Sequence, residues 1–191
     1  MLILGSAYNK LPVMCLRSGG PIGRVVGHLI NPHKLRIDAL WCTLGGLKQP
    51  MLLPIGEIRD QSIKLGVIVD DSHSLIEPHD ALRLKSIIDL RYELLGKKVI
   101  AGRFRVGKVT DYAVDRDSMQ IMKLYAAPSV WTAVKTTQLS YDRSQIIEVS
   151  HAYVKVQGGE LKAERTSRRS ADDHSSLSPA SLPSSASLIE E

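Results

Sequence analysis

The chain has 191 residues, 43% of them apolar, with 25 Lys and Arg against 20 Asp and Glu, for a formal charge of +5. That apolar content is ordinary for a globular protein. No stretch approaches the roughly 18 consecutive apolar residues that cross a bilayer, and Met1–Leu4 is too short for a signal-peptide core. A soluble, cytoplasmic protein is therefore expected. The tail is near neutral, since Lys162, Arg165, Arg168 and Arg169 face Glu164, Asp172, Asp173, Glu190 and Glu191. The positive surplus belongs to the body, which suits an RNA or an acidic protein partner.

The first segment is rich in short strands. Leu11–Leu16 is an apolar run stopped by Ser18-Gly19-Gly20-Pro21, a loop signal. The glycine-rich stretch Gly19–Gly23 leads into a strand and lacks a following Lys-Ser/Thr, so it supports no phosphate loop. Gly23–Ile30 reads as a strand ended by Asn31-Pro32-His33. Lys34–Trp41 alternates, with Leu35, Ile37, Ala39 and Trp41 on one face and Lys34, Arg36 and Asp38 on the other. Met51–Pro54 and Ile63–Val69 complete five short strands, which suggest a small barrel whose closure removes exposed edges. Cys15 and Cys42 sit in apolar runs without CxxC spacing and read as buried free thiols.

Past Val69 the period changes. Ala81, Leu84, Ile88, Tyr92 and Leu95 recur at steps of three and four, predicting a helix over Pro78–Leu90. Asp80 suits its start and Gly96 its exit. This helix would join two units and cover the open end of one. His73 and His79 lie near Asp70, Asp71 and Asp80, but without any metal-ligand spacing, so no metal is expected.

The next segment repeats the first. Gly23-Arg24-Val25-Val26-Gly27-His28-Leu29-Ile30-Asn31 returns, 84 residues on, as Gly107-Lys108-Val109-Thr110-Asp111-Tyr112-Ala113-Val114-Asp115. The same shift matches Cys15-Leu16 with Val99-Ile100, Leu35 with Met119, Ile37 with Ile121 and Trp41 with Tyr125. A repeat of this length signals two copies of one small fold. Strands are predicted over Lys98–Ala101, Arg103–Val114, Met119–Tyr125, Trp131–Thr137 and Ile146–Val154. Lys123 falls at the inward position of Ala39 and must snorkel or break the register.

Five cations, Lys97, Lys98, Arg103, Arg105 and Lys108, fall in twelve residues without an acid. Alternation places Arg103 and Arg105 on one strand face and turns Phe104 and Val106 inward, so this basic face is the candidate partner-binding site. No motif sets a Ser or Cys beside a base, so no catalytic residue and no cofactor is expected. From Arg165 to Glu191 the chain is crowded with Ser, Ala and Pro and is expected to be disordered.

Gly-[Lys/Arg]-Val followed by an Ile/Val-[Asp/Asn] pair and an alternating strand resembles the PRC-barrel domain. Both copies carry it: Gly23-Arg24-Val25 with Ile30-Asn31, and Gly107-Lys108-Val109 with Asp111 and Val114-Asp115. Gly27 stands where Asp111 does, so the likeness assigns that acid no role in the first copy. The resemblance covers about residues 10–75 and 94–155. It implies a mainly β chain of two PRC-like barrels, 1–76 and 94–158, joined by a linker helix in 77–93 and followed by a tail, 159–191. It also implies no catalysis. Such barrels occur in a photosynthetic reaction-centre subunit, in a ribosome-maturation factor that binds a ribosomal protein, and as stand-alone prokaryotic proteins. The expectation is an adaptor that docks a protein partner; the alternative is a factor bound to RNA or the ribosome.

Overall fold

The computed structural model of the chain describes residues 1–47, 49–129 and 138–157. The strand expected over Trp131–Thr137 and the tail from 159 onward lie outside these residues. After β1 (Leu2–Leu4) and one helical turn, α1 (Gly5–Tyr8), come β2 (Pro12–Cys15), β3 (Gly20–Asn31), β4 (Arg36–Leu44), β5 (Met51–Pro54), β6 (Ile58–Ser62) and β7 (Gly66–Val69). A short helix, α2 (Lys85–Asp89), leads to β8 (Lys98–Ala101), β9 (Phe104–Asp115), β10 (Ile121–Pro128), β11 (Leu139–Asp142), β12 (Ile146–Val149) and β13 (Tyr153–Val156).

The strands form two sheets of matching order, β5-β4-β3-β2-β7-β6 and β11-β10-β9-β8-β13-β12. In both, the pair that closes the repeat is parallel, β2 with β7 and β8 with β13. The β3–β4 and β9–β10 ladders even share their irregularities. One bulge falls at Val25/Gly27 and at Tyr125/Ala126, another at Leu29/Ile30 and at Ile121/Lys123. Each sheet curls into a half-barrel and stays open, with no ladder between β5 and β6 or between β11 and β12 among the described residues. Three-residue turns at Ile55–Glu57 and Arg143–Gln145 join those strands instead.

The open sides face each other. Leu35 and Met119, equivalent residues, are both buried with left-handed backbone, φ 47° and 56°. That conformation costs a side chain about 1–2 kcal/mol. Its return is reciprocal: Ile37 N–H donates to the Met119 carbonyl at 3.0 Å, and Ile121 N–H donates to the Leu35 carbonyl at 2.9 Å. Arg36 and Gln120, also equivalent, form the bridge between these hairpin ends. Contacts of residue i with j, matched by j with i, define a two-fold interface. The two repeats are thus arranged as a pseudo-dimer within one chain.

A single cluster of buried side chains runs through both sheets, from Val13, Ile37 and Leu40 to Met119, Ile121 and Val154. The amino-terminal strand crosses over as well, since β1 pairs with β9 of the second sheet. The segment 1–76 therefore does not enclose a core of its own.

The linker departs from the expected helix. Only Lys85–Asp89 is α-helical; before it, successive turns close Glu77 to Asp80 and Ala81 to Leu84. Three-residue turns keep a spacing close to the helical one, so Ala81, Leu84, Ile87 and Ile88 still share a face. That face covers not an open barrel end but the outer side of the first sheet, at Leu29, Ala39 and Leu52. The bulge before Ala39 explains the arrangement: past it Leu40 and Cys42 enter the shared core, while Ala39 and Trp41 turn outward beneath the linker. Among the described residues no matching apolar cluster lies on the outer side of the second sheet. Lys123, at the position of Ala39, is therefore on an outer face, where its ammonium lies 3.4 Å from Asp142. Cys15 and Cys42 are free and buried, and burial pushes the Cys42 thiol up to about 12.

Candidate functional site

The basic residues lie mostly on the β8–β9 hairpin. Ala101 and Phe104 close it around Gly102-Arg103, and Gly102 takes φ 61° at the first central position of the tight turn. Lys98 and Lys108 sit directly opposite each other in the ladder, and both are exposed. Like charges so placed oppose the pairing by a few tenths of a kcal/mol, up to ~1. None of Lys98, Arg103, Arg105 and Lys108 has an acidic partner among the described residues. By contrast, Arg17 in the matching β2–β3 turn lies 3.4 Å from Asp71, and Arg59 lies 2.8 Å from Asp70.

Two sequence expectations need correction here. Phe104 does not turn inward; it is 75% exposed at the hairpin tip. Val99 pairs with Gly107 and Ile100 with Arg105, leaving Val106 bulged, so the simple alternation fails. Among the described residues Phe104 belongs to no buried cluster, because the tip lies beyond the shared core. The second correction is Lys97, which does not join this face. Its ammonium donates to the His151 carbonyl and sits 4.5 Å from the centre of the Tyr92 ring. Partial desolvation lowers its pKa, with Glu93 opposing that shift. Lys97 braces the linker against the β12–β13 turn.

The histidines near the linker are placed individually. His79 faces Glu77 at 3.2 Å and Asp80 at 3.4 Å, and the His73 backbone N–H is capped by Asp71. Among the described residues no group of three His, Cys, Asp or Glu side chains is arranged to hold a metal.

A second feature lies at the pseudo-two-fold axis. His28 and Tyr112 are equivalent residues, 84 apart, and they meet: His28 Nδ1 is 2.6 Å from the Tyr112 hydroxyl. Tyr8 packs edge-on to His28 at 5.6 Å between ring centres. Tyr112 lies against Gly5, where a Cβ would come within 2.6 Å of its ring. Burial holds His28 neutral, down to about 4, despite the Asp111 carboxylate. Burial also raises Tyr112, helped by Asp111, and pushes Tyr8 up to about 12. Sequence reasoning overlooked this pair, although the repeat alignment already put the two residues at one position.

The pair imposes a pH dependence. In the unfolded chain His28 takes a proton near pH 6.5; in the folded protein it does not until about pH 4. Between those values the unfolded state binds more protons, so stability is complete above pH 6.5 and falls as pH drops. The expected loss by pH 4 is about 3 kcal/mol, read as a shift of the urea midpoint. A His28→Gln variant is expected to lack that slope.

Among the described residues no helix is long and apolar enough to cross a membrane. In comparison with known proteins, the chain matches no family model and no curated protein.

Proposed function

We propose that this chain is a non-catalytic docking module of PRC-barrel type, acting in the cytoplasm, which holds an acidic protein partner with its β8–β9 hairpin in an assembly or regulatory role. The observation that carries this reading is the only Phe of the chain, exposed at a hairpin tip between Arg103 and Arg105. Aromatic and Arg side chains dominate protein-interface energetics when a partner desolvates them. The facing pair Lys98 and Lys108 adds repulsion that a bound carboxylate would relieve. Within the duplicated frame β8 is paired on both sides, with β9 and β13.

Binding of RNA by the same hairpin is the second reading, and the outward Phe104 favours it, because a base can stack on that ring beside cationic groups. Salt and nuclease separate the two. Both complexes weaken as ionic strength rises, the RNA complex the more steeply, but only the RNA complex is lost on ribonuclease treatment. Affinity capture from the native cell is the test. With Arg103→Glu and Arg105→Glu together, the captured partner is expected to disappear, and Phe104→Ala is expected to weaken it about 30-fold or more. A double charge reversal that leaves every captured component in place would overturn both readings.

A further inference from the structure

Lys98, Arg103, Arg105 and Lys108 are exposed, and none of the ion pairs among the described residues includes them. Position 48 is Lys and 130–137 carry no Asp or Glu, so every acid left to the chain follows Gln157. Those acids are unevenly spread. In 158–169, Glu160 and Glu164 are interspersed with Lys162, Arg165, Arg168 and Arg169, which leaves a surplus of cations. Segment 170–191 holds Asp172, Asp173, Glu190 and Glu191, and no Lys or Arg. It is opposite in charge to the β8–β9 hairpin. Leu188 and Ile189 stand directly before the last acidic pair, much as Phe104 stands between Arg103 and Arg105.

The path of the chain brings this segment to the hairpin. β13 runs parallel to β8 with Val156 opposite Ala101, and Ala101 is in turn opposite Phe104. Neighbouring strands lie about 4.8 Å apart, so the chain leaves β13 about 10 Å from the hairpin tip. Asp172 follows Gln157 by 15 positions, a reach of up to about 50 Å. Acids tethered so near act on the tip at an effective concentration on the order of millimolar. Carboxylates paired with guanidinium groups make some of the stronger polar contacts.

We propose that segment 170–191 folds back onto the β8–β9 hairpin, sets its four carboxylates against the cations there, and competes with the acidic protein partner. The inference rests on the reading of that hairpin as the partner's site, and it makes the site self-regulated. A partner then binds with its affinity reduced by the fraction of molecules whose hairpin is unoccupied.

The test neutralises the four acids in the full chain, by Asp172→Asn, Asp173→Asn, Glu190→Gln and Glu191→Gln, and leaves the described fold untouched. At low salt the backbone amide resonances of Gly102, Arg103, Arg105 and Lys108 are expected to differ between the unaltered and neutralised chains. In ~1 M salt, where the Debye length is about 3 Å, they are expected to coincide. A hexaglutamate peptide stands in for the partner. It is expected to bind the neutralised chain about threefold or more tightly than the unaltered one. Hairpin amides that already coincide at low salt would overturn the proposal, as would equal, measurable peptide affinity for the two chains. Amide differences that grow with protein concentration would place the segment on a second copy and overturn the fold-back. A peptide that binds neither chain overturns the acidic-partner reading and the competition with it, and the amide comparison then judges the contact by itself.

Discussion

Gly107→Ala is expected to destabilise the protein by more than about 3 kcal/mol, and Gly23→Ala to do the same. A Cβ at Gly107 would lie 2.2 Å from the Ala127 carbonyl oxygen; at Gly23 it would lie 2.2 Å from the Thr43 carbonyl oxygen. Both obstacles are backbone in the paired strand, β10 or β4, so no side chain can swing aside. Relief requires the strands to part next to a bulge, where the ladder also loses hydrogen bonds. Gly27→Ala serves as the internal control. Its Cβ would meet only the Trp41 side chain, at 3.6 Å, an ordinary contact, and its effect is expected within about 1 kcal/mol. Chemical denaturation of the three variants checks the contrast. If Gly107→Ala and Gly27→Ala unfold at the same midpoint, the close strand approach is not what places a glycine at the head of both motifs.

That glycine shows how far the sequence can be read. The block from Gly23 to Trp41 maps onto Gly107 to Tyr125 residue by residue, because hydrogen-bond register and bulges are shared. Upstream the same shift fails. Val13, not Cys15, is the counterpart of Val99, since Val13 pairs with Gly23 and Val99 with Gly107. The β2–β3 turn holds two extra residues, and insertions in turns leave no mark on apolar periodicity. Strands β6 and β12 also escaped notice as separate strands. They carry exposed polar residues such as Arg59, Asp60 and Glu148 on sheet edges, where one face of alternation is missing. For the candidate site, the cations were legible as composition, but the direction of Phe104 was not. Alternation assumes that both faces of a strand have something to pack against, which a hairpin tip does not supply.

Neither half of the chain is expected to fold cooperatively by itself. Fragment 1–76 would keep Ile37 and Leu35 but lose Met119 and Ile121, which bury them and complete their hydrogen bonds. Fragment 77–157 would lose β1 from β9 and the His28 ring that packs edge-on to Tyr112, together with Tyr8 behind it. Arg143 would lose its acceptors at Lys34 and Leu35, and Arg116 its carboxylate at Asp60. Exposing four such apolar side chains costs about 6–12 kcal/mol, comparable to the whole stability of a domain this size. Circular dichroism of each fragment is expected to show no sharp thermal transition, and an equimolar mixture is expected to restore it with one-to-one stoichiometry on gel filtration. A fragment that melts sharply at every concentration would contradict the shared core. Because the axis relates each residue to its equivalent, fragment 77–157 retains one escape. A second copy can present Met119 and Ile121 to the first, so any transition it shows should sharpen with concentration, with Tyr112 meeting Tyr112 in place of His28.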